Sequence, residues 1–249
     1  MIIAGLIGYP LEHSHSPELF QRIFKAENRH QYEYRLFELK SIDELRSLIH
    51  HHPSLLGLNI TIPYKEKIIA KLDAIDEQAK AVGAVNTVSI KRSEENNFLK
   101  GYNTDIYGFE HLLFSCCVNL TGALILGSGG ASKAVSHVLK QHNIPYMIVS
   151  RSKNKGDLHY DQLNHKILQD YPVLINCTPA GTYPKTNDMP PISPVLLSDH
   201  NFVIDLIYNP AETKLMKEAK ARGAQALNGE LMLEKQAKQA WEIWNKDID

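Results

Sequence analysis

The sequence predicts an α/β protein made of two α/β domains flanking a cleft, the C-terminal one a Rossmann-like doubly wound parallel sheet. Three observations carry this. Short apolar runs alternate with helix-period segments along the chain, the run Ala123 to Leu126 leads directly into Gly127-Ser128-Gly129-Gly130, and the pattern changes character at Asp105. The 249 residues allow one large domain or two modest ones. A chain of this size buries about 73 % of its open surface on folding, so a core forms without disulfide or metal support.

Ile2 to Gly8 reads as a buried strand. Ser16-Pro17-Glu18 opens a helix, with Ser16 placed to cap and Pro17 at the first helical position, and Leu19, Ile23 and Phe24 follow at helical spacing. A strand is expected over Tyr32 to Leu39, a helix over Ile42 to His50, and a strand over Leu56 to Ile62 that Pro63 ends. Tyr64 to Leu72 reads as helical, and Val85 to Lys91 with Phe98 to Gly101 as a hairpin. Beyond Asp105 the pattern predicts a helix over Ile106 to Cys117, the strand Ala123 to Leu126, and a helix from the glycine turn to about Val138. Strands follow over Tyr146 to Ser150, Val173 to Asn176 and Phe202 to Leu206, then helices over Glu212 to Arg222 and Gly229 to Trp244. The stretch from Pro179 to Pro194 is long, irregular and proline-rich, the character of a binding loop.

Charge excludes some partners. Lys+Arg 27 against Asp+Glu 28 leaves a net charge of -1, so no global basic field draws nucleic acid or an anionic membrane. No apolar run reaches the length of a membrane helix, and the N-terminus lacks the basic region and cleavage site of a signal peptide. Cys116, Cys117 and Cys177 lack metal-ligand spacing and point to a reduced, cytoplasmic setting. His13, His15 and the His50-His51-His52 run have no paired cysteine or helical His-x-x-x-His beside them, so no metal site is expected.

Strand, glycine turn and helix in that order are what a dinucleotide pyrophosphate requires. Gly127 permits the tight turn, Gly129 the close backbone approach, and the helix N-terminus supplies amides and a positive dipole end. Ser132 replaces the third glycine of the fingerprint. Where NAD binding calls for a carboxylate at the end of the next strand, this chain has Ser150-Arg151-Ser152-Lys153-Asn154-Lys155. A carboxylate there would repel a 2′-phosphate, whereas guanidinium, ammonium and hydroxyl groups attract it, so the expected cofactor is NADP.

In the first half, polar residues collect where strands end. Ser14 and Ser16 beside a helix start form a plausible carboxylate site, with helix capping by Ser16 as the alternative. Asn59-Ile60-Thr61-Ile62-Pro63-Tyr64-Lys65 sets polar side chains on alternate positions and then a lysine at an expected helix start, where the dipole disfavours it. Asn86 ends Gly83-Ala84-Val85-Asn86, and Asp105 ends Gly101-Tyr102-Asn103-Thr104-Asp105, where it could equally cap the next helix.

Taken together these segments resemble the shikimate dehydrogenase family over nearly the whole chain. The matching stretches are Ile7 to Pro10 with His13 to Pro17, Asn59 to Lys65, Gly83 to Thr87, Asn103 to Asp105, Gly127 to Ser132, Asn176 to Gly181, Asp205 to Pro210 and Asn228 to Ala237, in the family's order. The resemblance implies reversible NADPH-dependent reduction of 3-dehydroshikimate to shikimate. By matching motif, Ser14, Ser16 and Tyr208 would hold the substrate carboxylate, and Thr61, Asn86, Asp105 and Gln236 the ring hydroxyls, with Asn59 nearby. Lys65 would be the catalytic acid/base, paired with Asp105. Gly127, Ser128, Gly129, Gly130, Ala131, Ser150, Arg151, Ser152, Lys155, Leu206 and Gly229 would line the NADP site, and Glu77 is a weaker carry-over to it. The last helix would return to the first domain, giving domains of 1–104 with 229–249 and of 105–228.

The chemistry suits the residues. Hydride arriving at a ring ketone develops an alkoxide that needs a proton and a cation together, and a lysine supplies both. Departures from the family pattern are few. Ser128 replaces the usual alanine, Ser150-Arg151-Ser152 the usual Asn-Arg-Thr, and Thr182 a frequent apolar residue, while a further C-terminal helix is expected to be absent. The expected partners are small molecules only, with the chain a monomer or homodimer. Two other readings stand beside this one: a quinate/shikimate paralogue with relaxed substrate or cofactor use, and a nonenzymatic NADP-binding module.

Overall fold

A computed structural model describes residues 1–11, 14–93, 96–116, 120–152 and 154–246. His13, Cys117 and Lys153, named above, lie outside the described residues. The chain divides into two compact units, Met1–Tyr107 with Glu234–Asp249, and Gly108–Leu233.

The first unit is built from β1 (Ile2–Gly8), α1 (Ser16–Ala26), β2 (Tyr32–Glu38), α2 (Leu45–His51), β3 (Leu55–Ile60), β4 (Ala74–Ile75), α3 (Glu77–Val82), β5 (Thr87–Lys91) and β6 (Phe98–Tyr102). Its sheet runs β2-β1-β3-β5-β6-β4. β1 is parallel to both neighbours, β5 is antiparallel to β3 and β6, and β4 is parallel to β6. The near-continuous apolar run of β1 suits a strand covered on both faces. Ile7, Leu55, Leu58, Ile60, Val88 and Leu99 of the sheet pack into one core with Leu45 and Ile49 of α2.

A second, aromatic layer joins α1, β2 and the last helix, α8 (Glu230–Lys246). Phe20 stacks on Tyr34 at 4.1 Å and lies 5.5 Å from Trp244, while Trp241 meets Phe24 and Tyr32 at 5.1 and 5.0 Å. The two indoles find acceptors: Trp241 donates to Glu27 Oε2 at 2.7 Å and Trp244 to the Val88 carbonyl at 3.0 Å. Buried Trp is placed where its N–H can be paired, and both are. The C-terminal helix thereby completes the first unit.

α4 (Thr104–Ser115) crosses the division, and the second unit continues with β7 (Ala123–Leu126), α5 (Gly130–Gln141), β8 (Tyr146–Val149), α6 (His165–Asp170), β9 (Val173–Asn176), β10 (Phe202–Asp205), α7 (Lys214–Lys220) and β11 (Gln225–Asn228). Its five strands are all parallel, in the order β11-β10-β9-β7-β8. The chain winds outward from β7 in both directions, so the order reverses between β7 and β9, the position where doubly wound sheets bind ligands.

The structure differs from the sequence reading at several places. The N-cap of α1 is His15, with no side-chain cap, and Ser16 is already the first helical residue. Tyr64 to Leu72 is a turn followed by a short 3-10 helix, Lys67–Lys71. The Lys65 carbonyl accepts from Val85 N at 2.8 Å and the Tyr64 hydroxyl donates to the Leu39 carbonyl at 2.5 Å, so this segment is tied to the sheet. Lys65 therefore stands in a turn and opposes no helix dipole. Asn103, whose Oδ1 accepts from Ile106 N at 3.3 Å, takes the capping role considered for Asp105. β4, β11, α3 and α6 add to the expected elements. β4 has two residues and β11 none that is buried, so neither leaves an apolar run to read. Among the described residues no helix is long and apolar enough to cross a membrane.

Candidate active site

Lys65 and Asp105 meet in the first unit. The Lys65 ammonium donates to Asp105 Oδ2 at 2.6 Å, with the two side chains 19 % and 3 % exposed. A carboxylate so nearly dry requires donors on its oxygens. Asp105 has them, since Asn86 Nδ2 donates to its other oxygen at 2.9 Å. The lysine, by contrast, keeps one side open to solvent.

Asn86 organises the surroundings. Its second N–H points to Gln236 Oε1 at 3.2 Å, and its Oδ1 accepts from Thr104 N at 2.7 Å and from the hydroxyls of Thr104 and Thr87, both at 3.2 Å. Asn59 sits beside this group, donating to Thr87 Oγ1 at 3.1 Å and accepting from the Tyr34 hydroxyl at 2.7 Å. The strands explain the convergence: Asn59 and Thr87 are register partners in β3 and β5, and Thr87 faces Tyr102 of β6, two residues before Thr104. Thr61 follows β3, its amide donating to the Ile7 carbonyl at 2.9 Å. Ser14 Oγ accepts from Ser16 N at 3.3 Å, so the two serines are adjacent in the α1 entry turn. Glu77 is an exposed first residue of α3 in the first unit, and the glycine turn lies in the second.

In the second unit Gly127 has φ +104°, and a Cβ there would stand 2.8 Å from Thr178 Cγ2. Both facts require glycine. Gly129 is the extended N-cap of α5, so Gly130 and Ala131 open the helix rather than belonging to the loop. Ser132, in the place of the third fingerprint glycine, is buried and returns its hydroxyl to the Gly129 carbonyl at 2.6 Å. The Ser128 and Ser150 hydroxyls meet at 3.2 Å, which ties the glycine turn to the end of β8. Arg151, Ser152 and Lys155 follow, all exposed, with no carboxylate at the strand end. A turn leading into the amides of a helix start, with a basic, hydroxyl-bearing loop beside it, fits a phosphorylated dinucleotide. Arg151 also borders a cavity of about 380 Å³ lined by His159, Tyr160, Leu163, Pro191 and Ser193. Burial pushes the Tyr160 phenol up to about 12, against the opposing pull of Arg151.

Gly229 packs under the β10 end. A Cβ on it would lie 2.2 Å from the Leu206 carbonyl oxygen, and its amide donates to the Ile207 carbonyl at 3.1 Å. Asp205, fully buried, accepts from Thr213 Oγ1 at 2.6 Å, Asn176 Nδ2 at 2.9 Å and Ile207 N at 3.1 Å. Burial raises its pKa, with those three donors pulling the other way. This network fixes the loop that carries Leu206 and the half-buried Tyr208. In the sequence Asp205 stands in a motif without a role of its own, and Tyr34 carries no functional signal. An aromatic at an alternating strand position reads as core, so only the fold exposes its hydroxyl's partner.

Fold and site together define an α/β chain with a dinucleotide-type sheet in one unit and a lysine paired with a buried carboxylate in the other. The family model for the shikimate dehydrogenase substrate binding domain matches residues 6–88. Across 263 aligned residues the chain is 37% identical to a shikimate dehydrogenase (NADP(+)) of Clostridium perfringens, covering 98% of this chain and 93% of that one. Among solved structures it resembles shikimate 5-dehydrogenase of Thermus thermophilus in complex with NADP(H) and shikimate, with a TM-score of 0.85, 27% identity and coverage of 99% and 94%. It also resembles quinate dehydrogenase of Corynebacterium glutamicum in complex with NAD, with a TM-score of 0.85, 26% identity and coverage of 98% and 94%. The chain belongs to the shikimate dehydrogenase family.

Proposed function

We propose that this chain catalyses the reversible reduction of 3-dehydroshikimate to shikimate, in aromatic amino-acid precursor synthesis. It is an oxidoreductase of the CH–OH group, with NADP as its cofactor. The observation that carries the residue-level reading is the pairing of the half-buried Lys65 with the buried Asp105. Bound NADPH supplies a hydride to the ring ketone. As the carbonyl oxygen takes up the electron pair, a Lys65 N–H gives it a proton, and the former ketone leaves as CH–OH. Until that proton moves, the positive charge of the ammonium stabilises the developing alkoxide, and afterwards Lys65 is left as the neutral amine. Lys65 then recovers a proton through its solvent-facing side, and in oxidation each step runs backwards. Asp105 holds the Lys65 nitrogen in place and accepts a ring hydroxyl beside it.

Other roles follow from chemistry and placement. Ser14 and Ser16 offer hydroxyl donors to the substrate carboxylate, joined by Tyr208. Thr61, Asn86 and Gln236 bind ring hydroxyls. In Asn86 both N–H groups are already spent, so a substrate hydroxyl displaces the longer bond to Gln236. In this reading residues 1–104 with 229–249 form the substrate-binding and catalytic domain, and 105–228 the NADP domain. Gly127 to Ala131 hold the pyrophosphate, and Ser150, Arg151, Ser152 and Lys155 the 2′-phosphate, with Leu206 and Gly229 lining the nicotinamide side and Glu77 the periphery. We place the enzyme in the cytoplasm.

The test is NADPH formation from NADP and shikimate, run beside quinate and with NAD in place of NADP. Turnover on shikimate with NADP, well above the other three pairings, is the expected result. Preference for quinate or NAD would move the chain to the relaxed paralogue, and NADP binding without turnover would leave only a binding module.

A further inference from the structure

We propose that Tyr34 is a positioning residue for the Lys65–Asp105 pair, acting through Asn59, Thr87 and Asn86; the inference rests on the dehydrogenase reading above. Asn59 Oδ1 can only accept, and the Tyr34 hydroxyl donates to it at 2.7 Å. That contact settles which end of the Asn59 amide faces which neighbour, and turns Nδ2 toward Thr87 Oγ1 at 3.1 Å. With a donor arriving on its oxygen, Thr87 directs its own proton onward, to Asn86 Oδ1 at 3.2 Å or to the Thr104 hydroxyl at 3.2 Å, which itself donates to Asn86 Oδ1. Asn86, whose oxygen also accepts from the Thr104 amide at 2.7 Å and the Thr104 hydroxyl at 3.2 Å, presents Nδ2 to Asp105 Oδ1 at 2.9 Å, and Lys65 takes the other carboxylate oxygen at 2.6 Å.

Every donor in this series points the same way, from the Tyr34 hydroxyl to a buried carboxylate. Aligned hydrogen bonds polarise one another, and the sum acts on the anion at the end. Reversal of one amide would break the alignment: an Asn59 turned by half a rotation would draw the Thr87 proton to itself and away from Asn86. Among the described residues the tyrosine hydroxyl is the main bar to that rotation, with the Asn86 carbonyl, 3.4 Å from Asn59 Nδ2, a weaker second anchor. Both Asn59 hydrogens are thus directed inward, which leaves it one acceptor lone pair and no donor for a ligand. The Tyr34 ring itself is fixed independently by its stack on Phe20 at 4.1 Å and 7°. Its hydroxyl can therefore be removed with the packing intact.

The experiment compares Tyr34→Phe, Thr87→Val and the double variant with the wild type by steady-state kinetics, alongside labelling of Lys65 by an amine-reactive reagent. Tyr34→Phe should lower kcat roughly five- to tenfold, the scale of one net hydrogen bond, with KM for shikimate and NADP within about twofold. Thr87→Val should do the same, and the double variant should be no slower than the slower single one, since both cut one series. Lys65 should label a few-fold faster in each variant. An unchanged kcat in Tyr34→Phe, or losses that multiply in the double variant, would overturn the proposal. So would a raised KM at constant kcat, which would make Asn59 a direct substrate contact. A wild type inactive on every substrate and cofactor pairing refutes the dehydrogenase reading instead, and equal labelling of wild type and Tyr34→Phe refutes the positioning role by itself.

Discussion

The Asn86 side-chain amide reaches Gln236 Oε1 at 3.2 Å across 150 residues of sequence, so a side chain from the last helix closes a site begun on the first sheet. Gln236→Ala should raise KM for shikimate roughly tenfold while changing kcat less, because it removes a hydroxyl partner and leaves the Lys65–Asp105 bond in place. Initial-rate measurements at saturating NADP check this, and a kcat loss at constant KM would contradict it.

Lys65→Met removes the proton and the cation together while keeping the length of the side chain. Turnover should fall by two orders of magnitude or more, with modest change in shikimate affinity measured by binding. Near-wild-type turnover would remove Lys65 from the mechanism.

Arg151→Ala acts at the end of β8, where no carboxylate competes for the ribose. It should weaken NADP by roughly tenfold or more and leave NAD nearly unaffected, as a charge-assisted phosphate contact is lost. Equal losses for the two cofactors, measured by titration, would refute the 2′-phosphate assignment.

Burial lifts the Asp205 carboxyl above its ordinary 3.8, which has a stability consequence. Between that value and its higher folded value, the native state holds a proton that the unfolded chain has released. Unfolding free energy from this group therefore falls as pH rises through the window, and is highest below it. Asp205→Asn should flatten that part of the curve, as read by urea unfolding at a series of pH values from about 3.5 upward. A variant with the wild-type slope would show that Asp205 titrates normally.

Trp244 is fully buried between Phe20 and the β5 backbone. Trp244→Ala should cost about 3–5 kcal/mol, seen as a lower denaturation midpoint.

Much of this was legible because strand ends announce themselves. Asn86 closes an apolar run, Asn59 and Thr61 alternate with isoleucines at the end of another, and Gly127 to Gly130 follow a strand with nothing between. What periodicity could not supply was long-range partnership. Gln236 lies on an amphipathic helix like any other surface glutamine, and only its family motif marked it. Lys65 looked like the start of a helix because Pro63 and the apolar spacing suit one; its carbonyl is instead spent on Val85, from a segment twenty residues away. Tyr34 carried no signal, since its hydroxyl partner comes from a strand two places over in the sheet.

The aromatic layer that α8 contributes sets an order of assembly during synthesis. Every residue of the nucleotide-type sheet has been joined to the chain before Trp241 and Trp244 are made. The first unit, although begun first, waits with Phe20, Phe24 and Tyr32 uncovered until the end of the chain is released. Truncation a few residues before Trp241 would thus cripple the half of the molecule that was translated first.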